Sequence, residues 1–124
     1  MSDPDIKKRN RKSKIAGYRW ESDLAKYLSS VFRRVVERNG TRYGGKDRGD
    51  LSGVPYLVIE AKNEARIDLS GYMREVAAEM ANHPDARFGV AVVKARGKPT
   101  GRAYAVMELD WFCELYAEYL ASAS

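Results

Sequence analysis

The sequence predicts an α/β domain, a mixed β-sheet flanked by helices in the order αβββαββα. Three observations carry this. Residues 18–32 and 68–82 repeat apolar side chains at helical spacing. Residues 56–62 (YLVIEAK) and 88–94 (FGVAVVK) are short, nearly continuous apolar runs, the pattern of strands covered on both faces. The length, 124 residues, suffices for one core and leaves little for a second.

Taken in chain order, residues 1–16 show no apolar periodicity and are expected as a flexible basic arm, with residues 17–124 as the single domain. In residues 18–32, Trp20, Leu24, Tyr27, Leu28, Val31 and Phe32 share one helical face. Residues 33–38 are too short for a helix and hold two β-branched residues, so they predict a first strand. The Gly- and Asn-rich residues 39–49 predict a loop. Asp50-Leu51 opens a second strand, Gly53-Val54-Pro55 a turn, and residues 56–62 the clearest strand. Asp68 is the expected N-cap of a helix over 68–82, with Leu69, Met73, Val76, Ala77 and Met80 as its buried stripe and His83-Pro84 as its end. A strand over 88–94, a basic turn over 95–102 and a short strand over 103–107 follow. The last helix, 110–120, has Asp110 as its expected N-cap and two apolar strips. Trp111, Leu115 and Tyr119 form one, and Phe112, Tyr116 and Leu120 the other. Two strips need two partners, so core plus a dimer interface fits, as does deep burial.

Charge excludes some functions and favours others. The formal net charge is +5, yet residues 7–48 alone carry +10, from 14 basic and 4 acidic side chains, and residues 104–124 carry −4. A basic front and an acidic back suit a polyanion as partner. Lys7, Lys8, Arg9, Arg11, Lys12 and Lys14 make up the first basic run, which reads either as a phosphate contact or as a solubilising tail. Arg42, Lys46 and Arg48 form a second group, expected on phosphates. Lys98, with Lys94, Arg96 and Arg102, forms a third, read as a further backbone contact. Apolar runs such as Val54 to Ile59 are far too short to cross a bilayer, and the basic start is unlike a secretory signal, so a cytoplasmic location is expected and no membrane partner. One cysteine, Cys113, and one histidine, His83, exclude an internal disulfide, a Cys-cluster zinc site and His-rich chemistry. Gly44-Gly45-Lys46 lacks the rest of a phosphate-binding loop, so no nucleotide cofactor is expected.

The chemistry is carried by acids. On a helical wheel, the apolar arc of residues 18–32 spans roughly −20° to 120° from Trp20, and Glu21 falls at about 100°, the only charge inside it. It reads either as a ligand or as a rim residue reaching a neighbouring arginine. On strand 56–62, alternation puts Tyr56, Val58, Glu60 and Lys62 on one face. A turn through 52–55 returns the chain and brings Asp50 near Glu60. Three carboxylates so gathered repel one another unless a cation neutralises them. Oxygen-only donors suit Mg²⁺, with Mn²⁺ as a substitute. Such an ion activates water and stabilises charge on a phosphate, and a neighbouring lysine orients or deprotonates that water. Acids, a lysine and a polyanion-attracting face together point to phosphodiester hydrolysis. A nucleic-acid-binding module with structural carboxylates is the non-catalytic alternative.

Gly49-Asp50, nine residues, then Glu60-Ala61-Lys62 resembles the PD-(D/E)xK nuclease motif, and Glu21 matches the acidic residue in the preceding helix of many members. Length and element order look most like the archaeal-type Holliday junction resolvases and their phage relatives, over about residues 17–107. The sequence departs from the pattern at Gly49, which stands in place of proline. The resemblance implies a restriction-endonuclease-like fold and a metal-dependent endodeoxyribonuclease acting in DNA recombination and repair. It implies Asp50 and Glu60 as metal ligands, Glu21 completing the shell, and Lys62 serving the nucleophilic water. It also implies a homodimer cutting four-way DNA junctions. A restriction or repair nuclease acting on linear duplex is the alternative within the enzyme class.

Overall fold

Five strands form one mixed sheet in the spatial order β1-β2-β3-β4-β5 in a computed structural model that describes residues 4–40 and 47–124. The strands are β1 (Glu37–Arg38), β2 (Leu51–Ser52), β3 (Leu57–Lys62), β4 (Phe88–Val93) and β5 (Tyr104–Val106). The helices are α1 (Pro4–Phe32), α2 (Leu69–Ala81) and α3 (Leu109–Ala123), with a short 3-10 turn at Thr100–Arg102. The expected α/β order therefore holds. Only β3 and β4 run parallel, joined through α2, with Ile59 opposite Val90; the other pairs are antiparallel. A parallel pair requires such a crossover, and the helix that makes it covers one face of the sheet.

Strand alternation sorts the core into two layers. Leu57, Ile59 and Ala61 of β3 face α1, where Trp20, Leu24, Ala25, Val36, Leu51 and Val90 close the first cluster. Trp20 is 1% exposed, and its indole Nε1 donates to the Val92 carbonyl, which satisfies the one polar atom that burial would orphan. Val58, Tyr72, Val76, Ala91 and Val93 form the second cluster, under α2. Gly89 allows this layer to close: a methyl there would collide with Val76 Cγ1. The Phe88–Val93 strand is covered on both faces, as its unbroken apolar run predicts.

Several expectations need correction. The segment expected as a loose arm is helical from Pro4, in one piece with the amphipathic helix behind it. Once residues 18–32 nucleate, each added residue gains a backbone hydrogen bond, and proline is well placed at a helix start. Of the stripe assigned to α2, Val76 is buried but Leu69 and Ala77 are exposed; the buried positions are Tyr72, Val76 and Glu79. Asp68 does cap α2, its side chain accepting from Gly71 N at 3.0 Å. Asp110 does not cap α3: it lies in the first turn, and Glu108 occupies the cap without a side-chain bond. Deep burial of α3 is also overturned. Phe112, Leu115, Tyr116, Tyr119 and Leu120 are all exposed, and only Trp111 packs on the second cluster. Arg87 ties the helix to the sheet through Glu114 and Glu118 at 2.8 and 2.6 Å. Tyr27, Val31 and Phe32 of α1 are likewise more exposed than their face predicts. Among the described residues, no helix is long and apolar enough to cross a membrane.

Candidate metal and nucleic-acid site

The β2–β3 hairpin builds the centre of the site. Asp50 N donates to the Ile59 carbonyl at 2.9 Å, and Ala61 N donates to Asp50 Oδ2 at 2.8 Å. The Asp50 carboxylate is thereby held beside β3, level with Glu60 and Lys62. Gly49 makes this approach possible. Its φ is +97°, and an added Cβ would sit 2.9 Å from the Ile59 carbonyl oxygen. Proline, fixed near −65°, does not adopt this backbone, so the departure from the PD-(D/E)xK pattern has a local physical reason. Buried Asn39 locks the other side, its Nδ2 donating to the carbonyls of Gly49 and Leu51.

Glu60 and Lys62 project from β3 toward α2. Glu60 is 5% exposed, with Lys62 Nζ at 3.6 Å. Lys62 Nζ also lies 2.7 Å from Glu75 and 3.9 Å from Glu64, over the Tyr72 ring. Burial pulls the Lys62 pKa down, but the Glu75 hydrogen bond and the charges of Glu60, Glu75 and Glu64 outweigh it and leave it raised. The acids move the same way for a different reason. Burial, with the charge of Glu21 adding to it, pushes Asp50 up to about 6 despite the Ala61 hydrogen bond. Burial pushes Glu79 up to about 8, helped by the charges of Asp47 and Asp50. Glu60 is raised further, by burial and by its neighbours Asp50 and Glu79. Burial and mutual repulsion disfavour the charged forms of these acids, and a bound cation would offset both. All the donors are hard oxygens, so this set fits Mg²⁺ or Mn²⁺.

Each of the four expected catalytic residues has a definite place. Asp50, Glu60 and Lys62 come together. Glu21 stands at the margin: its carboxylate pairs with Arg38 at 2.7 Å, as the rim reading expects, and its charge still acts on Asp50. Among the described residues, the tightest carboxylate group is Asp47, Glu60 and Glu79, with ligand oxygens all within 4.8 Å of one another. Asp47 and Glu79 escaped the sequence reading. Glu79 had a signal, a lone charge at the spacing of Tyr72 and Val76, hidden when the apolar stripe was phased on Leu69 and Met73. Asp47 had none, lying in a loop rich in charge.

No family model, curated protein or solved structure matches the chain.

The basic groups are partly visible. Lys7, Lys8, Arg11, Lys12 and Lys14 are exposed along the first half of α1, while the Arg9 side chain lies outside the described residues. Arg42 and Lys46 also lie outside them. Arg48 is half-buried beside a cavity of about 230 Å³ that Asn39, Ser52 and His83 help to line. Lys98 is exposed, its ammonium 6.0 Å from the Tyr104 ring centre, and Arg96 Nε donates to Asn63 Oδ1.

Proposed function

We propose that the chain is a divalent-metal-dependent DNA endonuclease of restriction-endonuclease-like fold, acting on branched DNA, with the four-way junction as substrate. One observation carries the reading: Asp50, Glu60 and Lys62 converge at the end of a buried strand, where burial and mutual repulsion raise the pKa values of both acids. A purely structural ion pair has no need of that many acids, and their crowding costs stability. The α/β sheet, with Asp50 on the turn before one strand and Glu60-Ala61-Lys62 on the next, supports the nuclease architecture as an analogy of arrangement.

In this reading Asp50 and Glu60 hold the metal, and Glu21 joins from α1 once Arg38 releases it or shares it. The ion, when bound, supplies a more acidic water and a positive charge beside the scissile phosphate. Lys62 remains an ammonium, because its acidic neighbours raise its pKa. Its role is therefore to donate hydrogen bonds that orient the attacking water and to offset charge on the phosphate, rather than to act as a base. The α1 lysines and arginines and Lys98 contact DNA backbone without reading sequence. A four-way junction needs two paired cuts, so the active form is a homodimer, and the exposed strip of α3 is assigned to the second copy.

The test uses labelled linear, flapped and four-way DNA with Mg²⁺ or with excess chelator. Cleavage of the four-way substrate in Mg²⁺ alone is expected. Equal cutting of linear duplex would move the substrate to the restriction or repair class. DNA binding without Mg²⁺ uptake or cleavage of any substrate would leave a binding module.

A further inference from the structure

We infer that Tyr104, with Lys98 beside it, is a stacking platform for one unpaired nucleobase of the DNA strand whose phosphate lies at Lys62. The inference deepens the nuclease reading and rests on it, since it names the part of a branched DNA that the face beside the acids would grip.

Sheet register places the ring. Lys62 of β3 stands opposite Val93 of β4, and Val93 stands opposite Tyr104 of β5. Residues directly opposite share a face of the sheet, and so do residues two apart on one strand. Val93 and Val106 both pack in the second cluster, under α2. Tyr104 therefore belongs to the face that carries Glu60 and Lys62, in the same cross-strand row as Lys62. Two strand spacings put its backbone about 10 Å from that of Lys62, a distance that a nucleotide next to the scissile phosphate can span. Lys62 and Val93 are the last residues of the parallel strands, so the row lies at their carboxyl ends, where open α/β sheets bind ligands. Tyr104 is 53% exposed. The Lys98 ammonium lies 6.0 Å from its ring centre, the outer limit of a cation–π contact, so it flanks the ring without covering it. The backbone that carries Lys98 is well defined. Lys98 N donates to the Ala95 carbonyl at 3.1 Å, and Gly97 takes φ +78° within that turn. Arg96 Nε donates to Asn63 Oδ1 at 3.2 Å, which ties the turn to the residue after Lys62. Any nucleobase stacks on an exposed aromatic ring, and a neighbouring ammonium suits its phosphate. In an intact duplex every base is already stacked and paired, so presenting one to Tyr104 requires its extrusion, whereas a strand at a branch presents one more readily. The platform thus favours unpaired strand over duplex without reading sequence.

Fluorescence of 2-aminopurine, read on the full chain with Ca²⁺ in place of Mg²⁺, tests this without reference to cleavage. The probes are a short single-stranded oligothymidylate carrying one 2-aminopurine and a duplex of the same length with the 2-aminopurine paired. Wild-type chain should quench the single-stranded probe and leave the duplex probe little changed. Tyr104→Ala should remove the quenching and weaken single-strand affinity by roughly 5- to 150-fold, the worth of one stacked base, with duplex affinity unchanged. Tyr104→Phe keeps the ring and should keep both properties. Tyr104 is exposed, so both variants are expected to fold, which circular dichroism checks. No quenching by the wild type, or a folded Tyr104→Ala chain with the wild-type ratio of single-strand to duplex affinity, would overturn the inference. Loss of quenching in a folded Tyr104→Phe chain would do so as well. The nuclease reading fails separately, if quenching depends on Tyr104 and no DNA is cut in Mg²⁺; an active nuclease whose Tyr104→Ala variant keeps the wild-type affinity ratio would lose the platform alone.

Discussion

Lys62 shows how single residues set the chemistry. Its ammonium is shared between Glu75 at 2.7 Å and Glu60 at 3.6 Å, and Glu75 is the neighbour that most strongly raises its pKa. Glu75→Gln should therefore lower the Lys62 pKa and move the alkaline limb of the cleavage pH profile to lower pH, with DNA affinity little changed. A limb that stays in place would take Lys62 out of the protonated role. Glu79 gives a stability signature. Its pKa is raised in the folded chain, to about 8, so the folded state holds a proton that the unfolded state releases above the ordinary carboxylate range. That stabilisation is full below about pH 4.5 and is lost as pH rises toward 8. In chelator, Glu79→Gln should match the wild-type Tm near pH 5 and exceed it near pH 9. A Tm difference that ignores pH would contradict the buried acid. At this scale Asp50, Glu60 and Lys62 were legible, because strand alternation and a short hairpin fix them by arithmetic. Glu75 was not: an exposed helical acid looks the same whether it faces water or a lysine.

Among the elements, α1 departs furthest from its reading and has the clearest consequence. Because its basic half is helical, its charges project from one continuous helix with the rest of α1. If these side chains contact phosphates, replacing Lys7, Lys8, Arg11, Lys12 and Lys14 by Gln should flatten the salt dependence of DNA binding. The log–log slope should fall by about 0.9 for each phosphate that is no longer neutralised. Affinity should drop equally for unrelated sequences. A slope unchanged by all five replacements would make this half of α1 a bystander. The helix was missed because periodicity detects a buried face, and the described side chains at 7, 8, 11, 12, 14 and 15 are exposed. At α3 the two apolar strips predict two partners, either core plus a dimer interface or deep burial; the structure rules out deep burial, with Trp111 packed on the second cluster and Phe112, Leu115, Tyr116, Tyr119 and Leu120 exposed. Strands β3 and β4 were read closely, since uninterrupted burial leaves no other assignment for runs of that length.

For the molecule as a whole, the sheet order brings the acids together and leaves the α3 strip open. Phe112 and Tyr116 stack at 5.9 Å between ring centres, and Tyr119 continues the row along the exposed face. On the homodimer reading, sedimentation should give two copies per particle. Tyr116→Lys combined with Leu120→Lys should give monomers that nick a four-way junction without paired cuts. A wild-type monomer that resolves junctions in pairs would remove the dimer. Element order was legible from alternating periodicities, whereas the full acidic cluster was not, since Asp47 and Glu79 meet Glu60 only through packing of α2 on the sheet. The central claim, that these acids and Lys62 form a hydrolytic centre, is tested most directly by Lys62→Ala under saturating Mg²⁺. Single-turnover cleavage of a four-way junction should be measured beside Mn²⁺ binding in the same preparation. Cleavage should fall by roughly 10²–10⁴, the usual worth of a positioned proton-handling group, with metal binding retained and no rescue by added metal. A Lys62→Ala protein that binds metal and cuts at the wild-type rate would contradict the claim.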